Sequence, residues 1–452
     1  MHGAINPLDG RYFEKTRALS PYFSEEALIK YRIIMEGEYL IALSKENKVG
    51  MQKLSLGEIS KIRNLYSLSA TDFSTIKKLE KTTNHDVKAV EYFIKEKLKK
   101  TSLKDSLEWV HFAITSEDTN NIAYALMIRD SLEEVILPEI TKIVSELNVL
   151  AKKHKNLPML ARTHGQPASP TTFGKEMRVF SARIERQLKN LSNIRIQAKL
   201  NGATGNYNAH IAAYPGIDWI KFSQNFINSF NTKKNTLILE ANILTTQIEC
   251  HDSYIEVFDA IRRINTILLD FNQDMWRYIS DVWIKQKINV SETGSSTMPH
   301  KVNPIDFENS EGNLGLANAL FEFFARKLPI SRLQRDLSDS TVERTFGTAF
   351  GHSFLAYTSL LKGLSKIEVN KEKIIEELLE HPEVVAEAIQ TVLRREGHPI
   401  PYEALKALTR GKVISMKQFG VFIDSLDVAP KIKSELKKFR PDNYTGLASK
   451  LA

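Results

Sequence analysis

Gly294-Ser295-Ser296-Thr297-Met298-Pro299-His300-Lys301-Val302-Asn303-Pro304 gathers hydroxyls, an imidazole, an ammonium and a carboxamide into one short run. Gly294 opens the run, and Pro299 and Pro304 forbid a continuous helix across it. A loop of this kind aims backbone N–H groups and polar side chains at one small anionic target. The plain structural alternative is a polar surface loop, which Gly, Ser and Pro produce in many proteins.

Four further polar segments carry groups of the same chemical character. Arg162-Thr163-His164-Gly165-Gln166-Pro167-Ala168 reads as a polar loop between two helical segments. A histidine there suits a general acid, because imidazole titrates near neutrality. On its own, such a histidine is more often a solvated or capping residue. In Thr82 to Phe93, Asn84, His85 and Asp86 precede a helical pattern that His85 and Asp86 can cap. Thr115 and Ser116 stand at another helix start, where hydroxyls bind their own backbone or an incoming carboxylate or phosphate. Ser331 to Arg344 is rich in arginine and serine. It reads either as a salt-bridged surface or as a phosphate clamp, since arginine makes forked, charge-assisted hydrogen bonds.

The elements that must position these groups are helical. Apolar residues recur at three- and four-residue steps, strand-like alternation is rare, and the 20 Gly and 15 Pro are few for 452 residues. Ser106 to Lys155 reads as long helices, with Pro138 at a start or a kink. A second long helix runs from Thr171 to about Gln197, its stripe made by Phe173, Met177, Phe180, Ile184, Leu188 and Leu191. A third covers His251 to about Ile279, with Ile255, Phe258, Ile264, Leu268, Phe271 and Met275 in register. Helices of about 25 residues span near 38 Å and need partners along their length, which predicts a long bundle. Shorter pieces flank it, so the chain is expected to hold three all-α parts: residues 1–105, 106–366 and 367–452. Asn231 to Asn242 is expected to be a loop or short hairpin.

Composition narrows the function classes. Hydrophobic content of 42% and charged content of 26% are ordinary for a globular protein. The first residues lack the apolar core of a secretory signal, and no apolar run is long enough for a membrane span. The net charge of +8 favours anionic partners. Lys and Arg are spread along the chain without a basic arm or recognition motif, so general solvation with a Lys-rich bias is preferred to nucleic-acid binding. The single cysteine, Cys250, rules out an internal disulfide framework, fits a reducing cytoplasm and is expected to be an inert packing residue.

The run GSSTMPHKVNP resembles the signature loop of the fumarase/aspartase superfamily, whose members release fumarate from a succinyl-bearing substrate. RTHGQPA resembles a second segment of the same superfamily. The glycine after its histidine, together with TTNHDVKAVEYF and KVNPIDFENSEGNLG, resembles the adenylosuccinate lyase family in its longer bacterial form. The resemblance runs from Asp9-Gly10-Arg11-Tyr12 to the RDLSDSTVER segment. It implies an all-α, three-domain fold whose central long-helix bundle forms a tetramer core, with active sites shared between subunits. It also implies cleavage of adenylosuccinate to AMP and fumarate, and of succinylaminoimidazole carboxamide ribotide (SAICAR) to AICAR.

By the same resemblance Ser295 is the base, His164 the general acid, and His85 and Lys301 complete the catalytic set. Arg11, Tyr12, Asn84, His85, Asp86, Thr115, Ser116, Gln247, Ser296, Lys301, Val302, Asn303, Asn309, Arg335, Ser340, Thr341, Val342, Glu343 and Arg344 match substrate-contacting positions. No cofactor or metal is implied, and no histidine shows metal-ligand spacing. Two places depart from the pattern. Asn231 to Asn242 is longer than usual, and Glu343 puts a carboxylate where it would repel a phosphate. Rival readings are a sibling lyase acting on argininosuccinate, aspartate or malate, a non-catalytic helical scaffold, and a nucleic-acid-binding protein.

Overall fold

The apolar stripe beginning at His251 folds as the helix Asp252–Ser280, 29 residues long. Phe258, Ile264, Leu268, Phe271 and Met275 are buried along it. The computed structural model describes residues 3–287, 298, 300–411 and 414–452. Helices dominate these residues, and the strands form only three two-stranded ladders, so the all-α expectation holds. No helix among the described residues is long and apolar enough to cross a membrane.

The chain divides into two compact units. The first comprises Met1–Ile140, Arg186–Thr266 and Gly312–Thr358. Its aromatic core centres on Phe258, whose ring meets Phe346 at 5.0 Å, Phe321 at 5.5 Å and Phe324 at 5.7 Å. Offset and edge-on contacts of this kind add to the apolar burial. The buried Asn265 is paired on both sides of its amide: it donates to Ser353 Oγ at 3.0 Å and accepts from the Tyr357 hydroxyl. The helix Glu25–Lys45, capped by Ser24, packs on the helix Ser116–Ser131. The latter passes through one π-helical turn, Leu132–Ile136, into Leu137–Lys153. Pro138 stands at that junction, where its missing N–H costs little.

Strand β3, Arg195–Ala198, occupies the end of the stretch read as a continuous helix to Gln197, because the helix stops at Leu191. It pairs in parallel with β4, Ile238–Ala241. The segment 231–242 is therefore neither a hairpin nor a simple loop. It supplies one strand to a partner some forty residues earlier, and Glu133 accepts the backbone N–H groups of Thr236 and Leu237 at 2.6 and 2.8 Å. Cys250 is exposed, not packed inside as expected. It follows the buried Ile248 and Glu249 and turns outward just before the long helix begins.

The second unit comprises Thr141–Glu185, Ile267–Glu311 and Ser359–Ala452. Here Phe180 meets Phe271 edge-on at 5.1 Å, and Asn272 donates to Ser310 Oγ at 2.9 Å. Strands β1, Pro158–Thr163, and β2, Gln166–Thr172, form an antiparallel hairpin. A small apolar core of Leu378, Val385, Ile389, Leu393, Leu405, Phe419 and Leu436 takes in Leu160 of β1. The hairpin is tied down further by the contacts Arg162–Glu377 and Ser169–Glu387.

Candidate active site

Four separated segments of the first unit line one cavity of about 680 Å³. Eight of the expected substrate residues stand on its wall: Asn84, His85, Asp86, Thr115, Ser116, Gln247, Arg335 and Ser340. Lys77 and Lys81 add two ammonium groups that sequence reasoning did not single out.

Local backbone chemistry explains how these groups face the cavity. The helix Ala70–Thr83 ends at Asn84 in the left-handed region, φ 52°, a conformation that asparagine tolerates better than most residues. The chain then reverses into the helix Asp86–Leu98, with His85 as its N-cap. His85 Nδ1 accepts the Lys88 N–H at 3.1 Å, so Nε2 is the nitrogen that carries the proton in the neutral ring. Asp86 Oδ2 accepts from both Arg32 and Arg344 at 2.7 Å. Burial alone would raise its pKa, but the two guanidinium groups hold the carboxyl well below the usual carboxylate range. Asp86 thus stays charged and orients Arg344.

Thr115 and Ser116 open the helix Ser116–Ser131. The Thr115 N–H bonds to Asp118 Oδ2 at 2.8 Å. Asp118, fully buried, also accepts from Lys199 Nζ at 2.7 Å and from the Asn201 and Gly202 N–H groups at 3.1 Å. These bonds compensate the desolvation of a buried ion pair and fix the helix start against the 199–202 turn. Gln247 donates to the Ala203 carbonyl at 3.0 Å and faces Arg335 Nη1 at 3.4 Å. Arg335 Nη2 lies 3.0 Å from Glu117, and its Nε lies 3.5 Å from Asp339.

Not every expected residue faces the cavity. Arg11 is exposed and stacks over the Tyr12 ring, 5.7 Å from its centroid, and neither residue lines the wall. Thr341 is exposed, whereas Val342 and Glu343 are buried. The Glu343 carboxylate accepts from His251 Nε2 at 3.1 Å inside the protein, so it presents no repulsive charge to an anion in the cavity.

The second unit carries the remaining candidates. His164 and Gly165 join β1 to β2 with φ values of 54° and 73°. Positive φ at both central residues marks the tight reverse turn of a two-residue hairpin, so the segment read as a loop is a hairpin tip. His164 is exposed there. Lys301 and Val302 are exposed, and the Val302 carbonyl accepts from Gln286 at 3.1 Å. Asn303 is half-buried, and Asn309 accepts from Ser359 Oγ at 2.8 Å. Ser295 and Ser296 lie outside the described residues.

Arg32, Glu117 and His251 are the supporting residues that local patterns did not reveal as such. All three are buried. Arg32 sits in the middle of an apolar helix and donates Nε–H to Asn120 at 2.9 Å. Glu117 directly follows Thr115-Ser116, which was the one available signal.

The first unit therefore presents a polar wall on which Arg335, Lys77 and Lys81 stand with amides, hydroxyls, His85 and the carboxylates of Glu80 and Asp86. The fold is shared with known proteins: the crystal structure of a fumarate lyase from Mesorhizobium sp. BNC1 superposes with a TM-score of 0.72 at 17% identity, covering 97% of this chain and 96% of that one. A lyase family profile matches residues 10–318. These findings define a lyase with the fumarate lyase fold.

A second profile, described as adenylosuccinate lyase C-terminal, matches residues 331–445. The adenylosuccinate lyase of Legionella pneumophila (strain Corby) is 50% identical over 451 residues, 99% of this chain and 97% of that protein. That of Escherichia coli (strain K12) is 48% identical over 450 residues, 98% and 97%. The chain belongs to the adenylosuccinate lyase family.

Proposed function

We propose that the chain is an enzyme that cleaves adenylosuccinate to AMP and fumarate, and SAICAR to AICAR and fumarate, with Ser295 as base and His164 as acid. One observation carries this reading: eight residues from four separated segments, each expected to touch substrate, line a single cavity of about 680 Å³. A substrate with two carboxylates and one phosphate brings roughly four negative charges at neutral pH. Arg335, Lys77, Lys81 and the hydroxyls of Thr115, Ser116 and Ser340 on the cavity wall are the complementary set, with Arg344, which does not line the wall, bonded to the wall residue Asp86.

The chemistry is a β-elimination. A base removes the proton on the succinyl carbon next to the carbon bearing nitrogen, and the carbanion is held as a doubly charged aci-carboxylate. The C–N bond then breaks as an acid protonates the departing nitrogen. The amides of the 294–304 loop, Lys301 and Asn303 would hold the developing charge, where losing one donor typically costs roughly 100- to 1,000-fold. His85, which lines the cavity, is read as part of the catalytic set and as a substrate ligand.

A panel of adenylosuccinate, argininosuccinate, aspartate and malate, followed by fumarate absorbance, separates this reading from its siblings. Release from adenylosuccinate alone is expected. Release from another member and not from adenylosuccinate overturns the assignment.

Two predictions arise from the same reading. Arg335→Ala and Arg344→Ala should each weaken AMP binding about 10- to 100-fold, the scale for removing one side of a charge-assisted pair. Adenosine, lacking the phosphate, should bind as before. Equal losses for both ligands would mean that these arginines do not hold the phosphate. The second concerns assembly, read as a cytoplasmic homotetramer with sites shared between subunits. Co-expressed His85→Ala and Ser295→Ala chains should regain activity that neither parent has, because a mixed site can hold both intact side chains. Verified mixed tetramers as inactive as their parents would show each site complete within one chain.

A further inference from the structure

Behind Arg335 lies a buried cluster of ionisable groups. Glu117 and His251 are fully buried and Glu343 is 2% exposed. Carboxylate oxygens of the two glutamates and a ring nitrogen of His251 all lie within 4.8 Å of one another. They come from three distant segments: the first turn of the helix Ser116–Ser131, the residue before the helix Asp252–Ser280, and the last residue of the helix Ser338–Glu343. Only one contact in the group is a well-formed hydrogen bond, His251 Nε2 to Glu343 Oε1 at 3.1 Å. Neither Glu117 oxygen accepts an aligned hydrogen bond. Its hold on Arg335, 3.0 Å away, is therefore electrostatic: burial and Glu343 push its pKa up to about 8, while the guanidinium and His251 draw it toward the charged form.

Two carboxylates this close in a buried site repel each other, and a proton or a shared cation relieves that repulsion. His251 is that cation. Burial by itself would lower its pKa, but the bond to Glu343 and the nearby Glu117 and Glu249 raise it to about 9. One imidazolium cannot fully satisfy both glutamates. The observed geometry assigns it to Glu343, which leaves Glu117 to the guanidinium.

We propose that Glu343 is a positioning residue for Arg335: by holding the imidazolium of His251, it leaves the Glu117 carboxylate to anchor the guanidinium that lines the cavity. This rests on the reading of Arg335 as a phosphate ligand. It also gives a role to the side chain that departs from the family pattern. Glu343 does not meet the anion; it sits one layer behind, where its charge keeps Arg335 pinned against Glu117, Asp339 and Gln247. Without that charge, His251 and Arg335 compete for Glu117 and the guanidinium loses its fixed aim.

The test is a double-mutant comparison on the full-length protein, with AMP and adenosine as competing ligands and adenylosuccinate as substrate. Glu343→Gln keeps the shape and removes the charge. It should raise KM for adenylosuccinate and weaken AMP inhibition by about 3- to 10-fold, a usual coupling for residues in one network, with kcat changing far less. Adenosine inhibition should not move. In an Arg335→Ala background the same change should add less than about twofold, because its effect is transmitted through that arginine. Glu343→Met, also neutral and of similar length, supplies the comparison should the glutamine variant fail to accumulate folded protein.

Equal weakening of AMP and adenosine, or an undiminished effect in the Arg335→Ala background, overturns the proposal in favour of a general structural role. If Arg335→Ala weakens AMP binding but both Glu343 variants leave it intact, the positioning role fails and the phosphate reading stands. If Arg335→Ala itself leaves AMP binding intact, both fail.

Discussion

Ser295→Ala is expected to abolish turnover while adenylosuccinate still binds. A positioned base contributes on the order of 100- to 10,000-fold, and alanine removes the hydroxyl that would act as one. Docking is expected to rest on the cavity wall to which Arg335, Lys77, Lys81 and the Thr115–Ser116 helix start contribute. The loss should therefore fall on kcat, and equilibrium dialysis with labelled substrate should give near-normal affinity. A serine hydroxyl is a weak base unless its alkoxide is stabilised, and Lys301 and the loop amides are the groups available to do so. Turnover near that of the unmodified protein would sink Ser295 as the base, and the adjacent Ser296 would then be the residue to test.

His164→Ala is the second large effect. The departing nitrogen must be protonated as the C–N bond breaks, and loss of that acid should lower kcat by about 100-fold or more with little change in KM. The fold gives this experiment a clean interpretation. His164 is exposed at the hairpin tip, and its backbone reversal is shared with Gly165. The hairpin is anchored away from the tip, through Leu160 in the small apolar core and through Arg162 and Ser169 on Glu377 and Glu387. Truncating an exposed side chain there should leave the melting temperature within the small range usual for surface changes. A rise in KM alone would make His164 a binding residue and move the acid to His85.

What the sequence disclosed follows a physical divide. The long helices were legible because apolar residues repeating every three to four positions must bury a continuous face, and Phe258, Leu268 and Met275 do. The hairpin around His164 was not, because its strands are six and seven residues long, rich in Thr, Pro and Ala, and lack alternation. The pairing of Arg195–Ala198 with Ile238–Ala241 is invisible to any local pattern, since its two halves lie some forty residues apart. The cavity residues were legible as motifs. Their support was not: Arg32, Glu117 and His251 look locally like ordinary helix residues, and only their distant partners, Asp86 for Arg32, Arg335 for Glu117 and Glu343 for His251, give them a task. Glu343 shows the limit most clearly. Its position in an arginine-rich segment suggested a clash with phosphate, whereas the helix Ser338–Glu343 turns that side chain inward to His251.

The measurement that tests the account most directly is product stoichiometry from adenylosuccinate with the purified protein, using the Ser295→Ala variant as the blank. AMP and fumarate should appear one for one, as a single C–N cleavage requires, and neither should appear in the blank. Failure to release fumarate from adenylosuccinate, or AMP and fumarate in unequal amounts, would contradict it.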